Sequence, residues 1–124
     1  MRIAISATSA SLDAAVDPRF GRCAFLLFVE LPGLEFEAVE NANVALGGGA
    51  GIQTAQLVAS KGASALLTGA CGPNAHQTLS AAGIELYVDC QGSVRNAIAG
   101  FEAGELSKAS GPNVRSHAGM GAKR

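Results

Sequence analysis

Three cysteines and one histidine are the residues of this sequence best suited to metal chemistry. Cys23, Cys71 and Cys90 are odd in number and contain no close pair, so they give no disulfide framework. No CxxC or HxxxH spacing occurs, and a structural zinc site therefore has no direct support. Soft thiolates, with His76 as a nitrogen donor, would suit copper or iron. All four are candidate metal ligands, although cysteines are often just small buried apolar residues.

Cys71 is the strongest of these candidates because it precedes a predicted helix that begins at Pro73. The partial positive charge at a helix N-terminus favours the thiolate form of a nearby cysteine. His76 falls in the first turn of the same helix, where a lone histidine is more often a surface residue than a ligand.

A second group of residues is suited to binding an anion. Three consecutive glycines, Gly47, Gly48 and Gly49, lead into a predicted helix, whose first backbone N–H groups and dipole favour negative charge. A tight structural loop is the alternative reading of such a segment. Ile52 and Gln53 stand where a phosphate-binding loop would carry lysine and serine, which weakens a nucleotide-binding interpretation.

Two arginines and the start of the second helix complete the candidate cofactor-binding set. Arg19 and Arg22 lie in a loop without periodic pattern, and they would either hold an anion or be solvated at the surface. Gly72 and Asn74 flank Pro73 at the predicted start of the second helix, where backbone N–H groups are again available.

Short apolar runs alternate with helical patterns and predict the elements that position these residues. The predicted strands cover residues 2–7, 24–31, 34–41, 63–68 and 84–88, and the helices begin near residues 52, 73 and 94. The order is β-β-β-α-β-α-β-α, which indicates an α/β domain with parallel later strands. If strands one to three are antiparallel, every candidate loop meets at the carboxyl ends of the central strands, where ligands bind in open α/β sheets. This convergence requires that the first loop does not cross the sheet.

Composition limits the class of protein. The 124 residues are 48% hydrophobic and 15% charged, enough for one domain with a substantial core. A net charge of −1 gives no case for nucleic acid or a membrane surface. Without a leader pattern or a membrane-length apolar run, we expect a cytoplasmic protein with reduced thiols. Residues 107–124 carry four basic and no acidic residues, and they predict a flexible basic tail.

Six segments of the sequence together resemble one protein family. They are RIAIS near the start, DPRFGRC at 17–23, GGGAGIQTAQLVASKG at 47–62, TGACGPNA at 68–75, AAGIELYV at 81–88 and GSVRNAIAGFEAGEL at 92–106. This combination resembles the dinitrogenase iron–molybdenum cofactor biosynthesis family, which includes NifX, NafY and the C-terminal part of NifB. The resemblance covers residues 1–106 and implies one cluster-binding domain with a ribonuclease-H-like α/β fold and a mixed five-stranded sheet.

The resemblance also implies a carrier that binds and delivers preformed metal–sulfur clusters without catalysis. One branch, the orange protein of sulfate-reducing bacteria, binds a molybdenum–copper sulfide cluster non-covalently, and a small domain of this kind is similar to that branch. An iron–molybdenum sulfide is the alternative cargo, and a donor or acceptor protein is the implied partner. Relatives often carry an apolar residue at the position of Cys71, so family membership does not by itself assign a role to that thiol.

Three other functions compete with the carrier hypothesis. A nucleotide- or anion-binding regulatory domain would use residues 47–51, and an interaction module would use the basic tail. A nuclease would need several carboxylates converging on divalent metals, and the first strand carries none.

Overall fold

The computed structural model describes residues 1–42 and 50–109, which form three helices and six strands. The elements are β1 (Arg2–Ala7), β2 (Phe25–Glu30), β3 (Glu35–Glu40), α1 (Ala50–Ser60), β4 (Ala65–Leu67), α2 (Pro73–Ala81), β5 (Glu85–Val88), α3 (Val94–Glu102) and β6 (Ser107–Lys108). The first eight follow the predicted order. None of the helices in these two ranges is long and apolar enough to cross a membrane.

All the strands belong to one open mixed sheet in the order β3-β2-β1-β4-β5-β6. β1 pairs antiparallel with β2, and β2 pairs antiparallel with β3. β1, β4 and β5 are parallel to one another. These orientations confirm the predicted path of the chain and place the carboxyl ends of β1, β4 and β5 at one edge, here called the carboxyl edge.

The sheet has six strands where the sequence predicted five. β6 is a pair of exposed residues, Ser107 and Lys108, that lies antiparallel to the end of β5. Two polar residues carry no apolar alternation, so nothing in the pattern marks them as a strand. β6 occupies the beginning of the predicted tail, and residues 110–124 of that tail lie outside the described residues. The narrower ribonuclease-H-like classification stays a prediction.

Two apolar layers cover the two faces of the sheet. The first layer packs α1 and α2 against the sheet, with Ala55 and Val58 from α1 and Leu79 from α2. The second packs α3 together with apolar residues of the loop that follows β1, including Val16. Residues 3–7 of the central strand β1 are buried on both faces, which explains why all of them except Ser6 are apolar.

The loop at residues 17–23 is fastened to the loop that follows β4. Arg19 and Ala70 form a parallel β-bridge, in which the Ala70 N–H donates to the Pro18 carbonyl at 2.8 Å and the Phe20 N–H donates to the Ala70 carbonyl at 3.1 Å. A Cβ atom at Gly69 would lie 2.6 Å from the Pro18 Cα, so only glycine allows this approach. The first loop therefore stays at the carboxyl edge, as the prediction required.

Candidate functional site

A surface cleft of about 220 Å³ lies at the carboxyl edge, between three segments of the chain. One wall comes from the 17–23 loop, one from the first turn of α1, and one from the start of α2. The residues that line it are Gly21, Arg22, Ala50, Gly51, Ile52, Gly72, Pro73, Asn74 and Ala75. The cleft thus brings together Arg22, Gly72 and Asn74 from the predicted cofactor-binding set.

Close backbone packing holds the 17–23 loop against α1. A Cβ atom at Gly21 would lie 3.0 Å from the Cα and 3.1 Å from the nitrogen of Gly51. Contacts this short favour glycine at position 21, because a Cβ atom there would push the loop and the helix apart by a few tenths of an ångström. The two walls of the cleft are therefore in direct contact at its base.

The start of α2 is open towards the cleft. Its N-cap residue, Gly72, has an extended backbone (φ −75°, ψ 171°) and no side chain, and no side chain caps the helix. Pro73 occupies the first turn and has no N–H group to satisfy. The N–H groups and the positive end of the helix dipole in this turn make the site favourable for an anion.

The two candidate arginines have different positions relative to the cleft. Arg22 is exposed and lines it. Arg19 is also exposed, but it belongs to the β-bridge with Ala70 and is not among the lining residues. The guanidinium of Arg22 adds a positive charge beside the starts of α1 and α2.

Two buried polar side chains give the 17–23 loop its shape, and the sequence did not single them out for this role. The Asp17 carboxylate accepts from the Arg19 N–H at 3.1 Å and from the Ala24 N–H at 3.3 Å, closing the loop at its base. The Asn41 amide donates to the carbonyls of Cys23 at 3.0 Å and Gly21 at 3.4 Å. An Asp-Pro pair is a turn signal, but nothing local marks an asparagine at a strand end as a loop contact.

Cys23 and Cys71 lie in the core beneath the cleft, with exposed fractions of 0% and 1%. Burial raises the pKa of the Cys71 thiol to about 12. Burial, with a smaller contribution from the Asp17 charge, raises the pKa of Cys23 to about 12. The expectation that the helix start makes Cys71 a thiolate is therefore wrong, because loss of water outweighs the helix dipole.

Cys90 and His76 do not join these two cysteines. Cys90 is buried in the opposite layer of the core, and burial raises the pKa of its thiol to about 11. β5 ends at Val88, and the next residue, Asp89, has a left-handed conformation (φ 60°). The Cys90 side chain packs on the face of the sheet opposite to Cys23 and Cys71. His76 is half-buried in the first turn of α2. Within residues 1–42 and 50–109, no three His, Cys, Asp or Glu side chains are grouped to hold a metal ion.

The remaining members of the predicted cofactor-binding set are Gly47, Gly48 and Gly49. They lie outside the described residues, immediately before α1. Their proposed contact with an anion stays a prediction.

The fold and the sequence are both similar to those of known proteins. The apo form of the orange protein from Desulfovibrio gigas is 45% identical with a TM-score of 0.89, covering 91% of this chain and 96% of that one. A NifB-like protein of the DUF35 family from Thermotoga is 32% identical with a TM-score of 0.80, covering 93% and 97%. The uncharacterised protein MJ0580 of Methanocaldococcus jannaschii is 31% identical over 96 residues, which is 75% of this chain and 81% of that protein.

A model of one family matches residues 1–104, a range that includes all three segments around the cleft. The resemblance noted in the sequence is therefore confirmed over almost the same residues. The chain belongs to the dinitrogenase iron–molybdenum cofactor family.

Proposed function

We propose that this protein is a carrier that stores or delivers an anionic metal–sulfide cluster in the cleft, without catalysing a reaction. One observation carries the proposal: the first turns of α1 and α2 and the side chain of Arg22 all line the same cleft. Two helix N-termini and a fixed cation favour negative charge at that point. A thiometallate cluster is an anion whose sulfide atoms accept hydrogen bonds.

The chemistry of the cysteines favours non-covalent binding of this cargo. A metal ligand must be a thiolate, whereas Cys71 has a pKa of about 12 and is 1% exposed. Ligation by Cys71 would therefore require both deprotonation and an opening of the core. Arg22 and the first turns of α1 and α2 already line the cleft, and binding through them requires neither deprotonation nor an opening of the core. The earlier assignment of Cys23, Cys71, Cys90 and His76 as metal ligands is not part of this proposal.

The similarity to the orange protein makes a molybdenum–copper sulfide the first cargo to test. An iron–molybdenum sulfide is the alternative, supported by the family and by the NifB-like relative. In either case a carrier receives its cargo from one protein or passes it to another, so a donor or acceptor protein is part of the proposal. Neither nucleic acid nor a membrane is proposed as a partner.

Anaerobic reconstitution tests the proposal directly. Metal-free protein is mixed with tetrathiomolybdate, with and without copper, and then separated from unbound metal on a desalting column. We expect protein-bound molybdenum and sulfide in fixed ratio, together with charge-transfer absorption in the visible spectrum. Protein that emerges colourless and without metal, both after this treatment and after anaerobic purification from its source, would overturn the carrier function.

Two variants locate the binding site and its mode. Arg22→Gln should weaken cluster binding by about fivefold, as expected for loss of one exposed charge. Arg95→Gln is the matched control, because Arg95 is also an exposed arginine, pairs with Asp13 and does not line the cleft. Cys71→Ala should retain binding within about twofold. If a folded Cys71→Ala protein binds no cluster, the thiol is a ligand and the non-covalent mode is wrong.

A further inference from the structure

Arg22 lies between two peptide groups that are held by one side chain. The Asn41 amide nitrogen donates to the carbonyl of Gly21 at 3.4 Å and to that of Cys23 at 3.0 Å. These are the residues immediately before and after Arg22. The direction in which the Arg22 side chain leaves the backbone is therefore set by two hydrogen bonds from the same donor group.

Asn41 also reaches the opposite wall of the cleft. Its side-chain oxygen accepts from the Thr54 hydroxyl at 3.4 Å, and Thr54 lies in the second turn of α1. Its backbone N–H donates to the Ala24 carbonyl at 2.9 Å, at the point where the loop enters β2. A single side chain thus connects the 17–23 loop with the helix whose first turn faces it across the cleft.

The position of Asn41 makes these hydrogen bonds strong determinants of local structure. The residue is 1% exposed, and Thr54 is fully buried, so water does not replace a lost partner at low cost. Asp17 closes the same loop at its base through the N–H groups of Arg19 and Ala24. Asp17 fixes the ends of the loop, whereas Asn41 fixes its middle.

We propose that Asn41 is the positioning residue that holds Arg22 at the cleft and keeps it in register with the start of α1. This inference rests on the proposed function, because it assigns Asn41 a role in binding an anionic cargo that Asn41 does not contact. If Asn41 acts by positioning Arg22, its effect on binding depends on Arg22 being present. That requirement distinguishes positioning from a general contribution to stability.

The first experiment uses the metal-free protein and does not depend on any cargo. Backbone ¹⁵N relaxation is measured for Asn41→Ala and for the unchanged protein. We expect the order parameter of Arg22 to fall from a value near 0.85, typical of rigid backbone, to below about 0.6. Val58→Ala is the control, because it opens the same core layer from α1 and removes none of the loop's hydrogen bonds from Asn41, so it should leave Arg22 rigid. An unchanged Arg22 order parameter in Asn41→Ala overturns the inference.

The second experiment is a double-mutant cycle on thiomolybdate–copper binding. Asn41→Ala and Arg22→Gln should each weaken binding by about fivefold, and the double variant should be no weaker than Arg22→Gln alone. Multiplied losses, about 25-fold in the double variant, would show that Asn41 acts independently of Arg22 and would overturn the inference. If the unchanged protein binds no cluster, the proposed function fails, and the relaxation experiment still decides whether Asn41 positions Arg22.

Thr54→Val provides a second test should Asn41→Ala not fold. It removes only the hydrogen bond from α1 to Asn41 and leaves the donors to the loop in place. We expect about a twofold loss of binding that disappears in the Arg22→Gln background. A loss of the same size in both backgrounds would contradict the coupling of the two walls.

Discussion

Two of the helices that begin at the carboxyl edge of the sheet, α2 and α3, differ in how their first N–H groups are paired. At the start of α3, the Ser93 hydroxyl accepts from the Asn96 N–H at 3.0 Å. The Val94 and Arg95 N–H groups donate to carbonyls of the loop after β1, at 2.8 and 2.9 Å. At the start of α2, Gly72 offers no side chain, no side chain caps the helix, and the cleft lies in front of it.

The difference shows which helix start is available to a ligand. Both carry a helix dipole, and both lie where ligands bind in open α/β sheets, so neither feature separates them. What separates them is occupancy of the first N–H groups by the protein itself. The start of α3 is closed by Ser93 and by its neighbouring loop, whereas the start of α2 is left to the cleft and to Arg22. A helix start becomes a site only where the fold leaves it open.

The pH dependence of stability tests whether Cys71, beside the start of α2 that is open to the cleft (the open start), is a thiol or a thiolate. Cys71 has a pKa of about 12 when folded and about 9.0 when unfolded, so its contribution is complete below pH 9 and is lost as the pH rises. From pH 9 to 11, this one thiol should lower the unfolding free energy by about 2 kcal/mol. The unfolding free energy of Cys71→Ala, measured by urea unfolding from pH 9 to 11, should therefore fall by that much less than the unfolding free energy of the unchanged protein. The plot of unfolding free energy against pH thus has a shallower slope in the variant.

The control for this experiment is Cys90→Ala, because Cys90 lies near the start of α3, which Ser93 caps (the closed start). The pKa of Cys90 is about 11, so its removal should also flatten the slope, though over a narrower range. An unchanged slope in Cys71→Ala would mean that folding does not raise the pKa of Cys71 above its ordinary value. Deprotonation would then be no obstacle beyond that of an ordinary thiol, and metal ligation by Cys71 would return as an explanation to test.

Close backbone packing at Gly69 keeps the 17–23 loop beside the open start. Gly69→Ala places a Cβ atom 2.6 Å from the Pro18 Cα and should lower the unfolding free energy by about 2 kcal/mol. Gly33→Ala is the control, since the nearest atom there is a flexible Glu35 oxygen at 3.9 Å, and it should change stability by less than about 0.5 kcal/mol. Equal urea midpoints for the two variants would show that the loop is not held by this contact.

A capping side chain at Gly72 should convert the open start into a closed one. Gly72→Asp adds an acceptor and a negative charge in front of α2, and cluster binding should fall by about tenfold, or ~1.4 kcal/mol. Stability should rise by a few tenths of a kcal/mol, because a capping residue replaces glycine. Gly72→Asn separates the two effects, since it caps without charge and should reduce binding by about twofold. Unchanged binding in Gly72→Asp would remove the start of α2 from the site.

Much of the fold was predictable because its signals are local. Residues 2–7 form β1 as predicted, since a central strand buried on both faces is rich in apolar residues. Pro73 marks the start of α2, and Ser93 caps α3, because both roles depend on residue type within one turn. The meeting of Arg22 with the start of α2 followed from strand order, which the alternation of strands and helices restricts strongly.

The remaining features depend on contacts between distant parts of the chain. The state of Cys71 is decided by burial in the core, and proximity to a helix start gave the opposite answer. Cys90 lies in the opposite layer of the core from Cys23 and Cys71, after the left-handed residue Asp89 at the end of β5. Asn41 hydrogen-bonds to Gly21, 20 positions earlier, and to Thr54, 13 positions later. No local sequence pattern predicts contacts over these separations. Positions of this kind are found only once the elements are packed.

The smallest expected effect on cluster binding comes from a change at the start of α3. It tests whether that helix start contributes to binding at the start of α2. Ser93→Ala removes the cap of α3 and should lower the unfolding free energy by about 1 kcal/mol, because the Asn96 N–H loses its partner. Cluster binding should stay within about twofold, measured by the same reconstitution. The control is Ser60→Ala, which removes an exposed hydroxyl at the last residue of α1. It should leave both the unfolding free energy and cluster binding nearly unchanged. If Ser93→Ala instead weakens binding as strongly as Gly72→Asp, the cargo site extends along the carboxyl edge to α3, and the loop after β1 must move when cargo binds.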